Sequence, residues 1–320
     1  MIEAAYYKSL EDGKVQCDLC PVRCRLKPGQ SGSCLVRKNI DGRLHAVTYG
    51  KVTALHIDPI EKKPLYHFYP GRPILSVGSS GCNLHCLFCQ NCEISQNPPD
   101  RFQFQSVTAE QLSKKASGVD DNIGIAYTYN EPVIWYEFVR DTAQLVHQLV
   151  MKNVLVSNGY INPEPMKQLA PLIDAANIDL KSFSDDFYRR YTKSRLAPVL
   201  ETLRILKDSG VYTEITHLVI PELNDHPEEF SNMCRWIAQE LGKNTVLHIS
   251  RYFPSWKMNT PPTPLDTLEQ FWDLAREHLE FVYLGNTSLP KGRDTSCPGC
   301  GRKVIIRSGY YTEVTGISEH

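Results

Sequence analysis

Residues 73–95 read PILSVGSSGCNLHCLFCQNCEIS, and this stretch decides the fold class. Its first six residues form an apolar run that ends in glycine, which is typical of a buried strand. Three cysteines follow at CxxxCxxC spacing, namely Cys82, Cys86 and Cys89. In an α/β barrel, a loop that leaves a strand at its carboxyl end lies where active sites are built. The stretch therefore predicts a metal-binding loop at the mouth of a parallel α/β structure.

The three thiols of this loop predict an iron–sulfur cluster. Thiolate is the soft ligand that such centres require, and three thiolates can bind three irons of a 4Fe-4S cluster. The fourth iron is then open to a cofactor or a substrate. Two alternatives stay open: Cys92 completes CxxxCxxCxxC as a fourth ligand in an electron-carrying cluster, or the thiols bind zinc or remain free.

The chain beyond this loop alternates β-rich runs with helical patterns, which favours βαβ units and a parallel sheet. Six strand–helix repeats extend from about residue 73 to 280 and a seventh strand follows, which predicts an open barrel rather than a flat doubly wound sheet. The predicted strands are 73–78, 123–129, 153–158, 177–182, 212–220, 245–250 and 281–285. Thr108 and Gln111 form a capping box, and residues 227–242 form a helix with Cys234 in the core.

The predicted organisation has three parts. Residues 1–72 form a cysteine-rich N-terminal lobe, residues 73–285 form the barrel, and residues 286–320 form a CPGCG knuckle with a hairpin. The lobe carries Cys17, Cys20, Cys24 and Cys34, while the knuckle carries Cys297 and Cys300. Either the first four close one site, or Cys17 and Cys20 join the C-terminal pair. The spacing leaves the metal open between zinc and a second iron–sulfur cluster.

Composition excludes several protein classes. Of the 320 residues, 42% are hydrophobic and 22% are charged, as in ordinary globular chains and unlike disordered ones. The net charge of −1 gives no long-range field to hold a polyanion, so nucleic acid is not an expected partner. No apolar run approaches the ~18 residues of a membrane span, and we expect a cytoplasmic protein. Eleven cysteines in that reducing compartment favour metal binding over disulfides.

Several motifs together resemble one known family. CNLHCLFCQN, with Phe88 before the third cysteine, resembles the cluster loop of the radical S-adenosylmethionine (SAM) superfamily. The stretches that narrow the resemblance to the radical SAM member of the AmmeMemoRadiSam group are DPIEKKPLYHFYPG (58–71), GCNLHCLFCQN (81–91), YTYNEPVIWYEF (127–138), VSNGYI (156–161), DLKSF (179–183) and CPGCG (297–301). That group is itself similar to pyruvate formate-lyase activating enzymes.

The resemblance implies a fold, cofactors and partners. The fold is a partial (β/α)6 radical SAM barrel, and SAM binds the open iron of the 4Fe-4S cluster. Electron transfer then releases methionine and a 5′-deoxyadenosyl radical. An electron donor such as flavodoxin or ferredoxin is implied, together with functional linkage to Memo-like and AMMECR-like proteins.

The resemblance also suggests which loops bind SAM. Asn130 and Glu131 stand where superfamily members often carry GGE, and Glu131 would accept from the SAM ammonium. Ser157, Asn158 and Gly159 suit ribose hydroxyls, and Asp179 with Lys181 would contact the SAM carboxylate or the substrate. His217 or His248 would lie near adenosine or substrate. The structural alternatives are a helix-start acid, an ordinary turn, a buried ion pair and core histidines.

Three functions follow from these patterns. The leading one is a radical SAM enzyme that abstracts hydrogen from an unidentified substrate. Its chief variant is an activase of a glycyl radical enzyme. The alternative from another class is a non-enzymatic iron–sulfur or zinc-binding module.

Overall fold

A computed structural model describes residues 1–316 of the chain. The strands are β1 Ile2–Glu3, β2 Tyr7–Ser9, β3 Val15–Cys17, β4 Arg25–Leu26, β5 Arg37–Ile40, β6 Arg43–Ala46, β7 Lys51–Val52, β8 Ala54–Pro59, β9 Pro73–Gly78, β10 Gln105–Ser106, β11 Gly124–Tyr127, β12 Lys152–Ser157, β13 Ala175–Asp179, β14 Tyr212–Val219, β15 Val246–Arg251, β16 Val282–Gly285, β17 Thr295–Ser296, β18 Lys303–Ser308 and β19 Tyr311–Val314. The α-helices are α1 Cys92–Ser95, α2 Ala109–Ser117, α3 Tyr136–Gln148, α4 Pro163–Leu169, α5 Asp185–Phe187, α6 Ala197–Asp208, α7 Pro227–Glu240 and α8 Leu265–Arg276.

An eight-stranded sheet forms the centre of the molecule, in the order β16-β15-β14-β13-β12-β11-β9-β8. Seven of its strands, β9 and β11 to β16, run parallel, and helices form the connections between them. Strands β11 and β15 are almost wholly buried, as expected where helices pack on one face and the barrel interior lies on the other. Within residues 1–316, β8 and β16 are not paired, so the predicted open barrel is confirmed.

The predicted elements fall at the observed positions. All seven parallel strands are present, with ends shifted by at most three residues. The capping box of α2 is formed: the Gln111 amide N–H donates to Thr108 Oγ1, and the Thr108 N–H donates to Gln111 Oε1. Cys234 is fully buried in α7, as predicted.

Strand β8 extends the sheet across the predicted boundary at residue 72. It pairs antiparallel with β9 from Ala54 to Pro59, although the sequence assigns it to the N-terminal lobe. The division into three domains therefore stays a prediction. In the part of the chain that the structure describes, no helix has the length and apolar character needed to cross a bilayer.

The N-terminal residues form two small antiparallel sheets, β1-β6-β5 and β2-β3-β4, which pack against the barrel. A buried ion pair joins them to α3, since Arg37 Nη2 lies 2.9 Å from Glu137 Oε1 and both side chains are 2% exposed. The Ala5 N–H also donates to Glu137 Oε1 at 2.7 Å. A buried pair of this kind costs much to break, because either partner alone is a desolvated charge.

The C-terminal strands β17, β18 and β19 form an antiparallel sheet that packs against residues 61–71. Arg307, 1% exposed, donates to the Tyr66 carbonyl at 2.7 Å and to Thr295 Oγ1 at 2.9 Å. Its guanidinium also lies 4.2 Å from the centroid of the Tyr66 ring. Arg307 thus contributes to the attachment of the C-terminal sheet, together with the hydrogen bonds of Thr312 to Glu61 and of Thr295 to Tyr283 in β16.

Gly81 sets how closely the cysteine loop approaches the N-terminal sheets. Its φ is +87°, and a Cβ built there would meet the Cys34 carbonyl oxygen at 2.4 Å and Val36 Cγ1 at 2.7 Å. A side chain at this position is excluded by both conformation and space. The residue before Cys82 is therefore in direct backbone contact with the segment that carries Cys34.

We expect Gly81→Ala to reduce the free energy of unfolding by about 3 kcal/mol, because it combines left-handed strain with overpacking. The matched control is Gly210→Ala, where φ is +74° but no atom lies within 4 Å of the added Cβ. That control should cost about 1 kcal/mol, from strain alone. Urea unfolding of both variants measures the difference, and equal losses would contradict the proposed close contact.

Candidate active site

A cavity of about 870 Å³ opens at the carboxyl ends of the parallel strands. Segments at the ends of all seven parallel strands contribute to its wall, including the cysteine loop after β9 and the residues at the ends of β11, β12 and β13. This is the position at which parallel α/β structures bind ligands. The volume is in the range of small-molecule and cofactor sites.

The loop after β9 brings its three thiols into this cavity. Cys82, Cys86 and Cys89 all line it, whereas Cys92 begins the short helix α1 and is not among the lining residues. Burial raises the pKa of Cys86 to about 12 and that of Cys82 well above its usual range. These thiols therefore stay protonated at neutral pH unless a metal stabilises the thiolate.

Donors around the sulfur atoms fit an anionic metal–sulfur group. The Leu84 N–H lies 3.4 Å from Cys82 Sγ, Asn158 Nδ2 lies 3.6 Å from the same atom, and Ser95 Oγ lies 3.2 Å from Cys89 Sγ. Hydrogen bonds to ligand sulfurs are among the means by which proteins tune iron–sulfur clusters. The donor set of three soft ligands with N–H and O–H partners thus fits a cluster in this loop.

Asn130 braces the loop from the end of β11. Its Oδ1 accepts from the Ser79 N–H at 3.0 Å, and its Nδ2 donates to the Gly81 carbonyl at 3.1 Å. Both ends of the amide are thus engaged by the backbone that leads into Cys82. Asn130 lines the cavity, and its observed contacts are to the protein.

Glu131 is a buried carboxylate, 1% exposed, that lines the cavity and joins two strand ends. It accepts from the Val133 N–H at 3.1 Å, from Ser157 Oγ at 2.7 Å and from the Asn158 N–H at 2.8 Å. The first bond is the cap of a 3₁₀ turn at Pro132–Trp135, so the helix-start alternative is realised. Burial raises the pKa of Glu131 to about 7, although these three bonds oppose the rise.

The residues at the end of β12 and in the turn after it face two places, the cavity and the core. Ser157 and Asn158 line the cavity. Gly159, at a φ of +68°, packs under the turn, where its carbonyl accepts from Thr202 Oγ1 and a Cβ would lie 3.1 Å from Ile178. Gly159 is thus a turn residue outside the cavity wall, and its assignment to the ribose site stays a prediction.

Asp179 and Lys181 form an ion pair in the cavity wall at the end of β13. Lys181 Nζ lies 3.0 Å from Asp179 Oδ2. Although burial opposes it, the charge of Asp179 raises the pKa of Lys181, which is therefore a cation at all ordinary pH values. The ammonium also lies 5.9 Å from the centroid of Phe88, within reach of a cation–π contact.

Both candidate histidines lie outside the cavity lining, and their placement near adenosine or substrate stays a prediction. His217 is 2% exposed and packs on Phe230, and its Nδ1 lies 2.9 Å from the Leu180 carbonyl oxygen. His248 Nε2 lies 2.5 Å from Glu214 Oε2, with its ring 4.7 Å from that of Tyr66. Burial lowers the pKa of His217 to about 4, as for a neutral core histidine.

A charged group from the stretch 58–71, for which the sequence predicts a role in a substrate-binding wall, also lines the cavity. Asp58 in β8 lies 2.8 Å from Lys63 Nζ and 3.0 Å from Lys62 Nζ, and it accepts from the Tyr129 hydroxyl at 2.6 Å. All four residues line the cavity. These bonds hold the pKa of Asp58 below its usual range in spite of burial. The alternating pattern of residues 54–59 fits the strand that pairs with β9 and carries Asp58.

The outer cysteines separate into two groups. Cys17, Cys20, Cys24 and Cys34 line one small cavity, which Cys297 and Cys300 do not join. The C-terminal pair forms a knuckle between β17 and β18, in which the Gly301 N–H donates to the Cys297 carbonyl. In residues 1–316, no three His, Cys, Asp or Glu side chains converge on a single-ion position.

This chain matches both a family model and the sequences of known proteins. The family model of the radical SAM superfamily matches residues 76–236, about half of the chain. An uncharacterised protein of Methanocaldococcus jannaschii, MJ0808, is 45% identical over 309 residues, which is 96% of this chain and 92% of that protein.

More distant relatives have named activities. A 7-carboxy-7-deazaguanine synthase of Methanothermobacter thermautotrophicus is 28% identical, over 47% of this chain and 63% of its own. A pyruvate formate-lyase-activating enzyme of Clostridium pasteurianum is 24% identical, over 49% of this chain and 66% of its own. This chain spans about two thirds of each of these two proteins.

Solved structures share the fold. A radical SAM methyltransferase from Sphaerobacter thermophilus matches 69% of this chain and 68% of its own, with a TM-score of 0.52 and 14% sequence identity. The matched family segment includes all three thiols of the cavity together with Glu131 and Lys181. The chain therefore belongs to the radical SAM superfamily, and it is an enzyme that uses a 4Fe-4S cluster and SAM.

Proposed function

We propose that SAM binds in the strand-end cavity beside Cys82, Cys86 and Cys89, and that the enzyme abstracts hydrogen from a substrate held in the same cavity. The observation that carries this proposal is the meeting of three soft ligands, a buried carboxylate and a permanent ammonium around one cavity. When bound, the cluster and SAM supply a 5′-deoxyadenosyl radical, and the protein contributes binding and orientation. The superfamily requires an external reductant, for which we propose a flavodoxin or ferredoxin.

Different residues of the cavity wall would contact different groups of SAM. Lys181 presents its ammonium beside Cys86, where it can pair with a carboxylate group. Glu131 and Asp179 supply the carboxylates near which an ammonium group is favoured. Phe88 and Leu84, which are 4% and 1% exposed, give the cavity an apolar surface that limits water near the thiols.

The wall made by Asp58, Lys62 and Tyr310 faces the substrate in this proposal. Lys62 is 42% exposed, and its ammonium lies 5.3 Å from the centroid of Tyr310. Lys63 is buried against Asp58, so its charge is already neutralised. Lys62 also bonds Asp58, at 3.0 Å, but two lysines share this one carboxylate, so the group keeps a net positive charge. The exposed Lys62 and the Tyr310 ring can therefore contact an incoming substrate.

A glycyl radical activase is the second candidate function. Its support is the similarity to pyruvate formate-lyase-activating enzymes. Membership of the AmmeMemoRadiSam group, with Memo-like and AMMECR-like partners, is likewise a proposal from the motifs at 58–71 and 156–161. The non-enzymatic module is excluded because members of the superfamily are enzymes.

Replacing a proposed cluster ligand should abolish SAM cleavage. We expect Cys86→Ala to lose 5′-deoxyadenosine formation after anaerobic reconstitution and reduction with dithionite, because one iron loses its thiolate. The matched control is Cys92→Ala, which removes a thiol outside the cavity wall and should retain cleavage within about twofold. Chromatography of 5′-deoxyadenosine provides the measurement. Loss of cleavage in both variants would instead make Cys92 a fourth ligand.

Removing the ammonium of Lys181 should weaken SAM binding. We expect Lys181→Met to raise the Kd for SAM at least about tenfold, or about 1.4 kcal/mol, since it deletes a cation and leaves Asp179 unpaired. Lys115→Met, on the exposed face of α2, is the matched control and should leave the Kd unchanged. Equilibrium dialysis of the anaerobic protein measures both. A Kd within twofold of the parent for Lys181→Met would remove Lys181 from the SAM site.

The activase variant has its own signature. Incubation of the reduced enzyme with SAM and a candidate glycyl radical protein should yield a glycyl radical signal by electron paramagnetic resonance (EPR). One 5′-deoxyadenosine should form for each radical. If 5′-deoxyadenosine accumulates without any protein radical, the enzyme acts on another substrate.

A further inference from the structure

The four N-terminal thiols surround a cavity that the proposed reaction does not use. Cys17, Cys20, Cys24 and Cys34 line it, and three of them are buried. Its remaining wall is mainly apolar, with Leu19, Val22 and Ile134. Four soft ligands in such a shell make up a complete metal–thiolate donor set.

A buried arginine points to an anionic occupant of this cavity. Arg37 lines the cavity and is 2% exposed. Its Nη atoms are taken up by Glu137 and the Ala5 carbonyl, but its Nε has no hydrogen-bond partner. A buried N–H without a partner is costly, so an acceptor such as a cluster sulfide or a thiolate is expected there.

The cavity shares a wall with the SAM-binding loop. Asn83 lines the N-terminal cavity and accepts from Asn158 Nδ2 at 3.0 Å, while the same amide nitrogen lies 3.6 Å from Cys82 Sγ. Ser33 Oγ lies 2.7 Å from His85 Nε2, and Gly81 contacts the Cys34 carbonyl. The four N-terminal thiols and the three thiols of the SAM-binding loop thus lie close to each other, with residues 81–85 in contact with both sets.

We propose that Cys17, Cys20, Cys24 and Cys34 bind a second iron–sulfur cluster, which lies against the SAM-binding loop and receives a hydrogen bond from Arg37 Nε. The arrangement of the thiols favours a cluster over zinc. They surround a shared space and do not meet at a single-ion position, and a cluster places a separate iron at each thiolate. This inference concerns a separate site and does not require the proposed reaction.

The test removes each set of cysteines in turn and measures the iron, sulfide and zinc content per chain. The triple variant Cys82→Ala/Cys86→Ala/Cys89→Ala, reconstituted anaerobically, should keep about four irons and four sulfides per chain in the second site. The variant Cys20→Ala/Cys34→Ala should likewise keep about four, in the SAM-binding loop, and the parent about eight. Cys234→Ala removes a core thiol outside both groups and should match the parent. One zinc and no iron in the triple variant would overturn the proposal.

EPR spectra of the reduced proteins test the shared wall. If the clusters are adjacent, the spectrum of the fully reduced parent should differ from the sum of the two single-cluster spectra through magnetic coupling. A spectrum equal to that sum would overturn the adjacency. If the triple variant keeps its iron while the parent fails to cleave SAM, the second site stands and the proposed function fails.

Discussion

One buried carboxylate, Glu131, links neighbouring strand ends at the mouth of the barrel through hydrogen bonds. Glu131 is 1% exposed, and its oxygens accept hydrogen bonds from groups at the end of β12 and in the 3₁₀ turn that follows it. Asn158, fixed by this carboxylate, in turn contacts Asn83 and Cys82. A desolvated charge tolerates little displacement of its partners. The positions of the thiols, of Ser157 and of the adjacent strands are thereby linked in one network.

Part of the parallel sheet was predictable because strands such as β9 and β11 are buried on both faces. A continuous apolar run between helical patterns is typical of such a strand, and both strands lie close to the expected residues. The sequence predicts strand-like pieces around β8 but not its place in the central sheet, because the pairing with β9 depends on the tertiary arrangement. Likewise, the CxxxCxxC spacing predicts three thiols close together, and all three line the same cavity.

The assignment of individual side chains was less predictable. The amide of Asn130 at a strand end can face a cofactor or the backbone, and its partners at Ser79 and Gly81 are set by the fold. His248 follows the alternation that points inward, yet Tyr66 from a distant segment covers it. Tyr66 and His67 donate their backbone N–H groups to Glu214, so this end of the barrel is filled by a loop and not by ligand. Alternation fixes the face of a strand, but not what covers that face.

The contact at Gly81 bears on how far this catalytic segment can be treated as a module. The family match begins at residue 76 and ends at residue 236. Yet the cysteine loop rests on the Cys34 backbone at one side, while Ser255 and Lys257 bond to its carbonyls at the other. A chimera that transplanted the matched segment alone would leave the loop without either support. Substitutions in the N-terminal segment and in the cysteine loop are therefore expected to affect one another, because each segment packs against the other.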